Sequence, residues 1–193
     1  MSKTMDIKNS QLIQTIQSIY YLPEELLHLI LDKVEIYEFP ARYKLIKQGS
    51  HARQIYFVDR GALRSYYLKD GNEVTTWFTF ENNFAASFYS FISGEPSFET
   101  IELLEDSILY GLSFNDLNTL THQYPEINHL YRKVLELNFV IQEKKLAERY
   151  ELAVDRYHDL ISNNPQILQR VPLGYIASYL GITQSTLSRI RKQ

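Results

Sequence analysis

The C-terminal end of the chain constrains its fold more than any other stretch. Val171-Pro172-Leu173-Gly174-Tyr175-Ile176-Ala177-Ser178-Tyr179-Leu180 puts a proline near a helix start and sets Ile176, Ala177 and Leu180 at helical spacing. Gly181 follows where a helix closes in a left-handed residue, a conformation glycine adopts without steric cost. Ile182 turns an apolar side chain into the corner, and Thr183 is placed to cap a second helix, Gln184 to Lys192. Two helices joined by a short glycine-containing turn define a helix-turn-helix, whose second helix lies in the DNA major groove. Its expected outward residues are Gln184, Ser185, Ser188, Arg189 and Lys192, with Thr183 and Arg191 flanking them, while Leu187 and Ile190 point inward. Such hydrogen-bonding side chains read base edges or hold phosphates, and arginine is the usual reader of guanine O6 and N7. The competing possibility is a plain helical hairpin that caps a core.

Charge separates the two. The whole chain carries −3 at neutral pH, which looks wrong for a DNA binder. From Arg170 to Gln193, however, the charged side chains are Arg170, Arg189, Arg191 and Lys192, with no acid among them. Localised positive charge on an acidic body is the footprint of nucleic-acid binding. Double-stranded DNA is therefore the expected partner.

Upstream, the texture changes repeatedly. Residues 8–32 read as helical, with Leu12, Ile13 and Ile16 at helical spacing and Pro23 opening a second segment. From Val34 to Leu112, short runs of β-branched and aromatic residues alternate with turns. Ile55 to Val58, Leu63 to Leu68, Val74 to Phe80, Thr100 to Leu104 and Ser107 to Leu112 read as strands, with a hairpin at Lys69-Asp70-Gly71-Asn72. Regular strands with frequent turns favour a barrel or roll over βαβ units. Ser113 then caps a short helix with Asp116 behind it, and Pro125 starts a long one. Along that helix Ile127, Leu130, Val134, Leu137 and Ile141 step by alternating threes and fours, the pattern of a coiled-coil seam, so a homodimer is expected. Charged residues from Glu143 to Glu151 mark a hinge, and a further helix runs to Asn163-Asn164-Pro165.

The expected fold class is thus α+β. N-terminal helices and an antiparallel β-roll (cupin-like, of jelly-roll type) fill residues 1–113, the short and long helices 114–150, and an all-α DNA-binding domain 151–193. The composition, 45% hydrophobic and 22% charged, is that of a globular chain. No run approaches the roughly 20 apolar residues of a membrane span, and Met1 to Lys8 lacks a secretory core, so a cytoplasmic protein without membrane partners is expected. The absence of cysteine excludes disulfides and thiolate-held metals. The five histidines show no metal-ligand spacing. No phosphate-binding glycine loop, HExxH pair or nucleophile elbow is present, so neither catalytic residues nor enzyme activity is expected.

This order of parts resembles the Crp/Fnr superfamily of transcription regulators over almost the whole chain. Its most specific pieces are Phe57-Val58-Asp59-Arg60-Gly61, Ile176 through Thr183, and Leu187-Ser188-Arg189-Ile190. The resemblance implies a sensor domain of the cyclic-nucleotide-binding type, a symmetric dimer on the long helix, contact with RNA polymerase, and base contacts at Gln184, Ser185 and Arg189. It also exposes departures. Cyclic-AMP-binding members hold the phosphate with a Gly-Glu-Leu cluster and a nearby arginine. Here Ala86-Ser87-Phe88 replaces the cluster, no Arg or Lys occurs between Lys69 and Arg132, and Glu99 lies near the expected cation position. A buried phosphate without a cation is costly to desolvate. Cyclic AMP is therefore disfavoured and no cofactor is expected, unless Arg132 or Lys133 reaches in from the long helix. Phe84, Ala86, Ser87, Phe88, Tyr89, Phe98 and Thr100 are the candidate lining of a different ligand pocket, or simply filling for the roll.

Overall fold

The computed structural model describes residues 11–148 and 150–192. Two short helices come first, α1 (Gln11–Ile19) and α2 (Glu24–Leu31), broken at the segment holding Pro23. The expected helical start at residues 8–10 lies outside the described residues. Eight strands come next: β1 (Glu35–Phe39), β2 (Lys44–Ile46), β3 (Gln54–Arg60), β4 (Leu63–Lys69), β5 (Asn72–Thr79), β6 (Phe84–Ala85), β7 (Thr100–Leu103) and β8 (Ser107–Ser113), with α3 (Phe88–Ser93) between β6 and β7. They form two antiparallel four-stranded sheets, ordered β1-β8-β3-β6 and β2-β7-β4-β5. This is the expected roll.

The β4–β5 hairpin has its predicted cause. Lys69 pairs with Asn72 across a two-residue loop in which Asp70 and Gly71 both have positive φ, 51° and 79°. That conformation matches the twist of the flanking strands. Gly61 is required twice over. Its φ is +126°, and a Cβ there would lie 2.1 Å from Ser107 Oγ. Its N–H donates to Glu81 Oε1 at 2.9 Å.

Phe57, Val58, Leu63, Ile101, Leu103 and Leu109 are fully buried between the sheets, and α1, α2 and the next helices pack over them. Burying each such side chain is worth about 1.5–3 kcal/mol. Within this part of the chain, four elements carry no sequence expectation: β1, β2, β6 and α3. β1 is an edge strand with Glu35 and Glu38 exposed, and β2 and β6 hold three and two residues. Pairing, rather than local pattern, makes them strands.

Ser113 caps α4 (Phe114–Gln123), its Oγ accepting from Asp116 N–H at 3.0 Å and donating to Asp116 Oδ2 at 2.5 Å. The long helix, α5 (Pro125–Glu148), comes after it. The helix is described to Glu148, so the charged segment from Glu143, expected as a hinge, is helical that far. The C-terminal region holds α6 (Ala153–Asn163), α7 (Ile167–Arg170), α8 (Leu173–Leu180) and α9 (Gln184–Ile190) around Tyr157, Ile167, Ile176, Leu180 and Leu187. α9 stops short of the expected Lys192, with Arg191 as its C-cap.

This small core is not separate from the roll. Phe78 belongs to it, with Phe80 and Leu104 packed alongside. Strand β5 is the edge of its sheet, and Ser178 of α8 satisfies that edge. Thr75 N–H donates to Ser178 Oγ, which donates to Glu73 O, both at 3.0 Å. Edge groups left unpaired would otherwise invite another strand.

Candidate DNA-contacting helices and the β-roll cavity

The end of α8 is set by backbone chemistry. Gly181 adopts φ 68° and ψ 29°, and Ile182 N–H returns to Ala177 O at 3.0 Å, closing the helix in a Schellman-type turn. Thr183 Oγ1 then accepts from Thr186 N–H at 3.2 Å and caps α9. Ile176, Ala177, Leu180 and Leu187 are buried and Ile190 half-buried. The opposite side presents Thr183, Gln184, Ser185, Ser188 and Arg189, all exposed, followed by exposed Arg191 and Lys192. No acid stands among these residues. Arg189 Nη2 reaches Thr186 Oγ1 at 3.3 Å, a contact a stronger acceptor can displace.

Arg170 does not join that basic group. Its guanidinium spans Glu81 and Glu105, with Nη2–Glu81 Oε1 at 2.7 Å, Nη1–Glu81 Oε2 at 2.9 Å and Nη2–Glu105 Oε1 at 2.5 Å. Burial works to raise the Glu81 pKa, but the Arg170 and Gly61 hydrogen bonds outweigh it and hold the carboxyl below its ordinary value. The positive charge expected of residue 170 is thus spent on the roll. A second arginine joins the two cores. Arg64, fully buried, donates to Thr75 Oγ1 at 3.0 Å and Glu73 Oε2 at 2.8 Å. Its Nη1 lies 3.5 Å from Glu102, an ion pair without a hydrogen bond. Its guanidinium stacks 3.6 Å from the Tyr175 ring of α8 and 4.3 Å from that of Tyr66. A buried charge this well surrounded is tolerated, whereas removing one partner is costly.

Between the β2-β7-β4-β5 sheet, the segment around α3 and helix α5 lies a cavity of about 650 Å³. Phe84, Ala86, Phe88, Tyr89 and Phe98 line it, as the sequence suggested. Ser87 and Thr100 do not, which corrects that expectation. Both are buried in polar wiring: Ser97 Oγ donates to Ser87 Oγ at 2.9 Å, and Gln48 N–H donates to Thr100 Oγ1 at 3.0 Å. Glu99 does face the cavity, with Thr76 Oγ1 donating to its Oε2 at 3.2 Å. Burial raises its pKa, against the pull of Thr76 and Lys145.

Among the described residues, the cation that reaches this cavity is Lys145. Arg132 and Lys133 instead form exposed ion pairs with Glu136. Lys145 Nζ donates to Thr76 O and stands 4.3 Å from the Trp77 ring centre and 4.8 Å from that of Tyr179. The signal for it was present in the sequence, since Lys145 continues the Leu137–Ile141 stripe at the next helical step. Arg64 carried no such signal, because its partners converge from three strands and from α8.

The expected seam residues divide between the core and the cavity. Ile127 and Leu130 are buried in the chain's own core, Val134 packs against it, and Leu137 and Ile141 line the cavity. Leu137 and Ile141 remain 49% and 45% exposed. The exposed apolar side chains of α5 outside this stripe are Phe139 and Val140, about two-thirds exposed, and Leu146, at the cavity rim.

Two linked parts are thus defined, a β-roll with a side cavity and a small helical head seated on its edge strand. Residues 36–124 match the family model of the cyclic nucleotide-binding domain. By fold, the chain is similar to FixK2 from Bradyrhizobium japonicum (18% identity, 83% of each chain covered, TM-score 0.68). It is similar to a transcriptional regulator placed in the Crp/Fnr family, from Eubacterium rectale (16% identity, 89% of this chain and 82% of that one, TM-score 0.69). It is also similar to the c-di-GMP-responsive regulator CLP of Xanthomonas campestris (16% identity, 88% and 90% covered, TM-score 0.65). The chain matches no curated protein by sequence. Its fold is the one shared by these three proteins. Among the described residues, no helix is long and apolar enough to cross a membrane.

Proposed function

We propose that the chain is a non-enzymic, cytoplasmic transcription regulator that binds an inverted-repeat DNA site as a homodimer. The observation that carries this is the exposed, acid-free face of α9, with Gln184, Ser185, Ser188 and Arg189 outward and Leu187 holding the helix to the head. Residues 1–113 form the sensor, 114–150 the dimerisation segment and 151–193 the DNA-binding head. Gln184, Ser185 and Arg189 read bases, while Thr183, Ser188, Arg191 and Lys192 hold phosphates. The dimer forms on α5 through Leu137 and Ile141 of the predicted seam, both nearly half exposed, together with exposed Phe139, Val140 and Leu146, while Ile127, Leu130 and Val134 anchor the helix to its own roll. Two α9 helices then enter major grooves about 34 Å apart, and the complex meets RNA polymerase.

The test is selection from a random duplex pool by the purified protein, without added ligand, at near-physiological salt. Enrichment of an inverted repeat with half-sites one helical turn apart supports the dimeric reader. No enrichment, alone and with cell extract, overturns it and favours an interaction scaffold.

Cyclic AMP is disfavoured as the effector, because Glu99 faces the cavity where a phosphate needs a cation. One observation favours the alternative of a cyclic nucleotide: Lys145 does bring a cation to the cavity. Titrating cyclic AMP against Trp77 fluorescence distinguishes them. A saturable response at micromolar ligand restores cyclic nucleotide as the signal.

A further inference from the structure

The cavity has the size of a small-molecule site, within the usual range of about 300–1,000 Å³. Five aromatic side chains stand in its walls, among polar and aliphatic ones. Trp77 comes from β5 and Phe84 from β6, and Tyr89 and Phe98, half-exposed and in edge-to-face contact at 5.5 Å, stand where it opens. Its charges are unlike those of an anion site. Glu99 is its half-buried carboxylate, accepting a hydrogen bond from the neutral hydroxyl of Thr76, and a second carboxylate, exposed Glu143, also lines it. Lys145 is drawn to the Thr76 carbonyl and to two ring faces, and Glu99 lies within its electrostatic reach. Its charge is therefore already compensated. An anionic ligand would have to meet Glu99 in a poorly solvated space, where like charges repel strongly. An uncharged donor gains a hydrogen bond to a carboxylate, the stronger kind, and adds stacking on the walls.

We propose that this cavity binds an uncharged aromatic molecule that donates an O–H or N–H hydrogen bond to Glu99, and that it rejects anions. This rests on the β-roll acting as a sensor. It names the class of signal that the roll receives. Trp77, the single tryptophan of the chain, is part of the lining and reports occupancy.

The probes are para-ethylphenol and the para-ethylbenzoate anion, alike in ring and alkyl group and different in charge, with cyclic AMP as a third. Binding is followed by Trp77 emission and by the unfolding temperature of the full chain. The phenol is expected to bind saturably and the benzoate at least about tenfold more weakly, equivalent to about 1.4 kcal/mol. Glu99→Gln keeps an acceptor and removes the charge, so it should narrow that gap to about threefold or less. Glu99→Leu should weaken the phenol itself. Equal or tighter binding of benzoate or cyclic AMP, an unchanged gap in Glu99→Gln, or no saturable response to the phenol overturns the proposal. The duplex selection needs no ligand, so a chain that selects DNA and fails here loses this inference alone. A chain that binds the phenol and selects no DNA loses the regulator function instead.

Discussion

Arg170→Ala removes a direct link between the head and the roll. In the folded chain its guanidinium makes a two-pronged bond to Glu81 and a further short one to Glu105, with Phe80 5.3 Å away. The arginine side chain is 18% exposed and the two glutamates about a third. An exposed ion pair is worth about 0.2–1 kcal/mol and hydrogen bonds to charged groups about 1.5–3, so a half-buried clamp of this geometry should cost about 2 kcal/mol when lost. Part of that cost arises because two carboxylates are left facing each other. A double-mutant cycle with Glu81→Gln, followed by urea unfolding, should return a coupling of about 1–2 kcal/mol. It should also shrink in high salt. The pH dependence has a defined sign. The Glu81 pKa is depressed in the folded chain, so its contribution is present above the ordinary glutamate value of about 4.3 and is lost as pH falls through the depressed one. Arg170→Ala should flatten that acid limb. A coupling below about 0.3 kcal/mol, within ordinary additivity error, or an unaltered acid limb would refute the clamp as an energetic link.

Other consequences are independent of this one. Arg189→Ala should weaken operator binding by about 1–3 kcal/mol and relax preference at one position per half-site; a uniform loss across all sequences in an anisotropy panel would make it a phosphate contact. Phe139→Asp combined with Val140→Asp should convert dimer to monomer by sedimentation, whereas an unchanged dimer would place the seam elsewhere. Gly181→Ala meets no atom within 4 Å, so its cost is backbone strain alone, about 1–2 kcal/mol by thermal unfolding. A larger loss would mean that the turn carries packing as well.

What the sequence determined by itself is whatever local chemistry decides. Gly181 and Thr183 specify the turn and the cap of α9, Asp70-Gly71 the hairpin, and Ser113 with Asp116 the start of α4, because each acts on its own neighbouring backbone. Helical spacing likewise sorted Leu187 from Arg189. The tertiary structure decided where faces meet. Ile127 to Ile141 has the same spacing whether it zips to a second copy or packs on its own roll, and period alone does not distinguish the two. The local sequence around Arg170 is basic, but Glu81 and Glu105 neutralise it from far along the chain. Ser87 and Thr100 sit in the right segments for a ligand but are held in hydrogen bonds with Ser97 and Gln48. β1, β2 and β6 are strands because partners pair with them. Short-range patterns report a residue's own backbone, while burial and charge compensation depend on groups that only the folded chain brings together.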